Sequence, residues 1–336
     1  MRVTVDGEPR DLRAVWLEGD VVQLLDQRDL PHTVRILSVR NSEEVARAIE
    51  DMAVRGAPAI GATAAYGLAQ ASLQGFDLEK VADRLRRTRP TGHDLFHAIA
   101  SVLAAVRGGR AAVEAAEAYV ADIADRCRRI GLHGAKLIRD GFSILTVCNA
   151  GALATVDYGS VLAPLRVARD RGVRFTVFVS ETRPRLQGSR LTAWELQQEG
   201  IDYTIIADSA GGLLMRQGKV DLVLVGADRI AANGDTANKI GTYVAAVLAK
   251  ENHLPFYVAA PLSTVDFTLR SGGRIEIEER APEEVLYLGS TAIAPKGSRA
   301  HNPAFDVTPA RFIRGIITED GIVRPADLRK HRPPLR

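Results

Sequence analysis

The chain has 336 residues, of which 46% are hydrophobic and 25% charged, and its 44 basic and 41 acidic side chains leave a net charge of +3. That length allows two domains and a large core without staples, and such even charge gives no ground for nucleic acid or a membrane as partner, since both are marked by clustered basic residues. Two cysteines, Cys127 and Cys148, without metal-type spacing argue against a disulfide framework and fit a reducing cytoplasm.

Residues 1–8 carry charges where a signal peptide needs an apolar run. No uninterrupted apolar stretch approaches the ~18 residues of a membrane span. Residues 1–40 hold short alternating runs and turn residues, which predict a small β ribbon. From Asn41 the period changes. Val45, Ala48, Ile49, Met52 and Ala53 recur at helical spacing, with Asn41 and Glu44 as a capping pair. Gly56 is placed to end that helix and Pro58 to open the next. Helical patterns follow over 58–74, 77–88, 92–107 and 111–141, the last two separated by Gly108-Gly109. Residues 1–125 therefore predict a mostly helical N-terminal domain.

After Gly141 short β-rich runs alternate with helical ones. The expected strands are 143–147, 174–179, 203–206, 220–225 and 256–260. Helical stretches between most of them predict a parallel α/β sheet with crossover helices over 126–330. The boundary falls inside or just before the 111–141 helix. The basic, proline-bearing tail 324–336 reads as a frayed end.

In a parallel sheet all carboxyl ends share one edge, where ligands bind. The expected strands are followed by Cys148-Asn149-Ala150-Gly151, Glu181-Thr182-Arg183-Pro184, Asp208-Ser209, Asp228, and Pro261-Leu262-Ser263-Thr264. A thiol, carboxylates, amides and hydroxyls are thus expected in one cleft. Cys148 alone would read as a small buried hydrophobe, but its place at a strand end favours chemistry. Cys127, mid-helix between Arg126 and Arg128, reads as packing. The stretch 225–242 is the most polar of these junctions. Asp228 is too far from the next helix to be its cap, and a buried aspartate there can serve as an acid. Asn238 and Lys239 are expected at the start of the following helix, with 231–235 as a loop.

A second element is Arg55-Gly56-Ala57-Pro58, where backbone N–H groups near a helix start and a forked side chain suit an anion. Arg89-Pro90-Thr91 and Gln187-Gly188-Ser189-Arg190 offer further donors. Neither a Walker motif nor GxGxxG occurs, so a nucleotide is not indicated. No Gly-x-Ser-x-Gly supports a serine triad. The seven histidines show no metal-ligand pattern; His93 and His97 are four apart on an expected helix but lack a third ligand.

Together these motifs resemble the methylthioribose-1-phosphate isomerase family, the aldose–ketose isomerases of methionine salvage. The resemblance runs over nearly the whole chain, from Leu24-Leu25-Asp26-Gln27-Arg28 through the segments above to Asn302-Pro303-Ala304-Phe305-Asp306-Val307-Thr308-Pro309. It implies a small N-terminal helical domain on a Rossmann-like C-terminal domain, a homodimer, and no metal or organic cofactor. It makes Cys148 and Asp228 the catalytic pair. Arg55, Arg89 and Gln187 would hold the phosphate with the amides of Gly56 and Ala57, and Asn238 and Lys239 would line the sugar site. The wider superfamily holds ribose-1,5-bisphosphate isomerase and regulatory subunits of the exchange factor for translation initiation factor two. Three places depart from the family pattern: Val147 stands for a histidine, Ser209 for an asparagine, and Gly92-His93-Asp94-Leu95-Phe96-His97 for Ala-Val-Asn-Leu-Phe-Trp. They leave the C5 substituent of the sugar open, with 5-deoxyribose 1-phosphate and ribose 1,5-bisphosphate as alternatives. A non-catalytic sensor of a sugar phosphate or nucleotide on the same fold is the reading from a different class.

Overall fold

The computed structural model describes residues 1–5, 7–89 and 92–332. The expected ribbon is two small sheets. Strands β1 (Arg2–Val5) and β2 (Glu8–Asp11) pair antiparallel, and β3 (Val15–Glu18), β4 (Val21–Leu25) and β5 (Ile36–Val39) form an antiparallel sheet in that order. Helix α1 (Ser42–Glu50) starts as predicted: Asn41 Oδ1 accepts the Glu44 N–H at 2.9 Å, and Glu44 reaches back to the Arg40 N–H at 2.7 Å. Helix α2 (Ala57–Leu73) has almost no polar face and is buried along its length, so it forms the axis of the helical part. Around it lie α3 (Leu78–Arg86), α4 (His93–Arg107) and α5 (Ala112–Gly134). Val15, Val22, Leu24 and Val39 of the small sheet join the same core. Helix α5 stops at Gly134 rather than running to 141. There the chain presses on a later helix, and a Cβ on Gly134 would lie 2.5 Å from the Pro164 ring.

The second part follows in chain order: β6 (Phe142–Thr146), α6 (Ala152–Thr155), α7 (Leu162–Asp170), β7 (Phe175–Ser180), α8 (Ala193–Gln198), β8 (Tyr203–Ile206), α9 (Ala210–Arg216) and β9 (Leu222–Val225). Then come β10 (Arg229–Ala231), β11 (Thr236–Lys239), α10 (Thr242–Glu251), β12 (Phe256–Ala259), β13 (Val265–Asp266), α11 (Glu283–Leu286), β14 (Tyr287–Leu288), β15 (Thr291–Ala292), β16 (Phe305–Thr308), β17 (Gly315–Thr318) and β18 (Gly321–Val323). The main sheet has the order β18-β17-β12-β9-β6-β7-β8 and is parallel except at the β17–β18 hairpin. All five expected strands are in it; β17 and β18 extend it. Alternate residues feed two cores. Ile144, Val177, Leu222 and Leu224 face one side, and Leu145, Val223, Val225 and Val258 the other.

From β6 the chain builds outward through β7 and β8, then returns to build the other way through β9, β12 and β17. The order therefore reverses between β6 and β9, and a crevice opens at their carboxyl ends. A second sheet, β13-β10-β11-β16, stands beyond that edge. It corrects one expectation. Asn238 and Lys239 lie on strand β11, not at a helix start, because Gly234 (φ +87°) turns the chain and β11 pairs with both β10 and β16.

Candidate active site

Cys148 and Asp228 follow the two strands that flank the reversal, and both line one cavity. The same cavity is lined by Arg55, Gly56, Ala57, Arg89, Gln187, Asn238 and Lys239, so the residues that the resemblance assigns to catalysis and substrate binding meet there. Pro90 and Thr91, named with Arg89 as donors, lie outside the described residues, as does the end of the basic tail.

Cys148 has φ +67°, a left-handed conformation that a non-glycine residue adopts at a cost of about 1–3 kcal/mol. Two threonines hold it. The Cys148 N–H donates to Thr182 Oγ1 at 2.9 Å, and Thr192 Oγ1 donates to the Cys148 carbonyl at 2.6 Å. Thr182 is itself at φ +65°, with its N–H donated to Asp208 at 2.8 Å. The helix after the cysteine is α6, only four residues long, and its start is already occupied. Glu195, 1% exposed, accepts the Ala152 N–H at 2.7 Å and pairs with Arg166 at 3.0 Å.

Helix α2 presents the free start instead. Gly56 caps it at φ +97°, and a Cβ there would lie 2.5 Å from the Ala154 carbonyl, so only glycine fits. Arg55 is fixed beside it. Its Nε donates to Gln27 Oε1 at 3.2 Å, one terminal nitrogen donates to the Asn149 carbonyl at 3.1 Å, and the other to Asn149 Oδ1. Gln187 is 5% exposed, and its Oε1 has no partner among the described residues. It precedes a π-helical turn, Gly188–Thr192, a feature common at functional sites.

Burial pushes the Asp228 carboxyl above its ordinary range, against the opposing pull of Lys239, Arg89, Arg55 and Arg280. Lys239 donates to the Ala304 carbonyl at 2.9 Å and lies 4.6 Å from the centre of the Phe305 ring. Burial lowers its pKa; the charges of Cys148 and Asp228 oppose that shift. Asn238 donates to Thr242 Oγ1 at 2.9 Å. Arg89 and Arg280 are both held at 2.9 Å by Glu278, whose carboxyl burial would raise but these two cations lower.

Some expected strand-end groups are elsewhere. Asp208 and Ser209 line a separate cavity with Val147, and Asp208 serves the loop after β7 by accepting from Thr182 and Arg183. Arg190 donates to the Leu30 carbonyl at 3.1 Å. Pro261 and Thr264, expected at the fifth strand end, line the cavity; Arg280 was not singled out and His93 was weighed only as a metal ligand, yet both line it too. Arg280 gave no signal, because 270–281 is a mixed stretch with no motif. The arrangement brings the Cys148 thiol and the Asp228 carboxyl together with Arg55, Arg89, Lys239 and Arg280, the start of helix α2 and a buried amide. That suits an anionic substrate undergoing proton transfer.

The description "Initiation factor 2 subunit family" matches residues 53–325. The chain belongs to the initiation factor 2 subunit family. Among similar proteins, one from Aquifex aeolicus named methylthioribose-1-phosphate isomerase is 51% identical over 320 residues, covering 95% of this chain and 70% of that protein. The crystal structure of 5-methylthioribose 1-phosphate isomerase from Pyrococcus horikoshii OT3 superposes with a TM-score of 0.88 at 43% identity, covering 96% of this chain and 94% of that one. The crystal structure of the translation initiation factor eIF-2B, subunit delta, from A. fulgidus superposes with a TM-score of 0.84 at 42% identity, covering 94% of this chain and 97% of that one.

Proposed function

We propose that this chain converts 5-methylthioribose 1-phosphate to 5-methylthioribulose 1-phosphate, an aldose–ketose isomerisation in methionine salvage. The observation that carries the reading is the meeting of Cys148 and Asp228 in a cavity that also holds Arg55, Arg89, Lys239 and Arg280. A sensor of sugar phosphates would need the cations but not the thiol and the acid together.

The substrate's anomeric oxygen carries phosphate, so its ring must open with the phosphate attached. Asp228 donates a proton to the ring oxygen as the bond from C1 to that oxygen breaks. Cys148, as thiolate, takes the C2 proton, and the electron pair left behind forms the C1–C2 double bond of an enediol-type intermediate. The thiol returns the proton to C1. The C2 hydroxyl gives its proton to the Asp228 carboxylate as C2 becomes a carbonyl, so no net proton is gained or lost. Arg55, Arg89 and Gln187 hold the phosphate with the amides of Gly56 and Ala57; Asn238 and Lys239 line the sugar. A phosphate dianion among the cations cancels the field that opposes protonation of Asp228, so binding favours the acid form.

Residues 1–125 and 126–330 are the two domains that bring these groups together. The protein works in the cytoplasm as a homodimer with a small sugar phosphate as its only ligand. Exposed Leu213, Tyr243, Val244 and Val247 on α9 and α10 support the dimer. The test is turnover of 5-methylthioribose 1-phosphate, 5-deoxyribose 1-phosphate and ribose 1,5-bisphosphate side by side. The first should give the highest kcat/KM; a clear preference for another moves the substrate assignment, and no ketose from any sinks the isomerase.

A further inference from the structure

The cavity has two unlike ends. In the strand order β12-β9-β6-β7, Gln187 lies in the segment after β7, and Arg55 is tied to Asn149, which follows β6. Cys148 and Asp228 follow the middle two strands, β6 and β9. At the other end, Pro261 and Thr264 from the segment after β12 line the cavity with His93 of α4 and Arg229 of β10. With the phosphate on C1 held at Arg55 and Gln187, and the reacting carbons between the thiol and the acid, the C5 end of the sugar points towards β12. Neighbouring strands lie about 4.8 Å apart, which is also roughly the reach from the reacting carbons to the C5 substituent.

Leu95, Ala260 and Pro261 make that far end largely apolar. Its one cation is already compensated: Arg229 donates to Asp266 at 2.5 Å, and Asp266 is buried. His93 is half-buried, and its ring hydrogen-bonds the Ser263 backbone. Burial holds it below the ordinary histidine range, so the ring is neutral at pH 7. A bond that favours the protonated ring uses an N–H, so the Ser263 carbonyl takes the one ring hydrogen. The second ring nitrogen is then an acceptor, without a partner among the described residues. Where the family pattern has valine, which offers no hydrogen bond, this chain thus places an acceptor in the cavity wall. A second phosphate would find no free cation here, and a neutral imidazole adds no charge to hold it. A methyl or methylthio group suits the apolar part but gives the nitrogen no donor. A hydroxyl on C5 does.

We propose that His93 is a specificity-determining residue for the C5 substituent, and that it opens the site to a second substrate, ribose 1-phosphate, isomerised to ribulose 1-phosphate. The C5 hydroxyl donates to the free ring nitrogen, while the apolar wall around it still takes the methylthio group. The bond changes are those at C1 and C2 given above: the ring C1–O bond breaks, the C2 proton passes to C1, C2 becomes the carbonyl, and C5 is untouched. The inference rests on the reading of this site as an isomerase.

The test compares ribose 1-phosphate with 5-deoxyribose 1-phosphate, which differ by one oxygen. In the unaltered protein kcat/KM should favour ribose 1-phosphate by on the order of ten-fold, the effect of one net hydrogen bond. The preference should vanish or reverse in His93→Val. Equal kcat/KM for the two sugars in the unaltered protein, or a preference that persists in His93→Val, overturns the proposal. A purely structural role would move both sugars together and so leave the ratio as it was. If His93→Val does not fold, His93→Phe, which keeps the bulk of the ring without its nitrogens, takes its place with the same two outcomes. No ketose from 5-methylthioribose 1-phosphate either would sink the isomerase reading itself. Ketose from that sugar without the preference for ribose 1-phosphate sinks only the role of His93.

Discussion

At the scale of single residues, the proposed chemistry depends on a carboxyl kept acidic and a thiol kept in place. Burial raises the Asp228 carboxyl, and a general acid works only while protonated, so kcat/KM should fall as pH rises through that raised value. Asp228→Asn should lower kcat by about 10²–10⁴ and abolish that limb of the profile; an unchanged limb assigns the acid to another group. Solvent deuterium separates the proton route from a direct C2-to-C1 hydride shift. Label at C1 of the ketose supports transfer by Cys148, and its absence, once shielded internal return is excluded, favours the shift. Val147, next to Cys148, packs into the core and lines a different cavity, so it supplies no apolar floor for that rival route. The site residues were legible because each sits at a strand end or beside a glycine-marked helix start. Arg280 was not, for a physical reason. It enters from a segment without regular structure, which no local pattern marks as part of a site.

At the scale of elements, the β10–β11 hairpin carries Asn238 and Lys239, the residues proposed to line the sugar, and Asp235 anchors it. Its carboxyl accepts from Asn233 Nδ2 at 2.8 Å, the Gly272 N–H at 2.9 Å and the Ala310 N–H at 2.8 Å. Burial alone would raise this carboxyl, but the donors outweigh it and its pKa is lowered. The stability it contributes is therefore present above the ordinary aspartate range and lost as pH falls through its depressed value. Asp235→Ala should cost about 2–4 kcal/mol in denaturant unfolding and raise KM, because Asn238 and Lys239 ride on the strand it fixes. Unchanged stability and KM would show that the hairpin holds itself. The sequence pattern showed a polar stretch between a strand and a helix but not the hairpin. Strands of three and four residues lie below the length at which alternation can be recognised, and the pairing of β11 with β16 joins residues about seventy positions apart.

At the scale of the whole molecule, the cavity exists because the helical part and the sheet part each supply a share. Arg55 and Arg89 come from the first, Cys148, Asp228 and Lys239 from the second, and Glu278 joins Arg89 to Arg280 across the gap. Glu278→Gln should loosen both arginines and raise KM on the order of ten-fold with a smaller change in kcat, since a charge-assisted hydrogen bond contributes about 1.5–3 kcal/mol; equal KM would mean that the arginines are held without it. The parallel sheet could be read from the switch in hydrophobic period at Gly141. The reversal of strand order between β6 and β9 could not, because strand order is set by long-range packing. That reversal is what puts the thiol opposite the acid. The most direct test is single-turnover formation of ketose from 5-methylthioribose 1-phosphate by Cys148→Ser. A properly folded variant that binds substrate but forms ketose at least ~10²-fold more slowly is the predicted result. Ketose at the wild-type rate would contradict the assignment of the C2-to-C1 transfer to this sulfur.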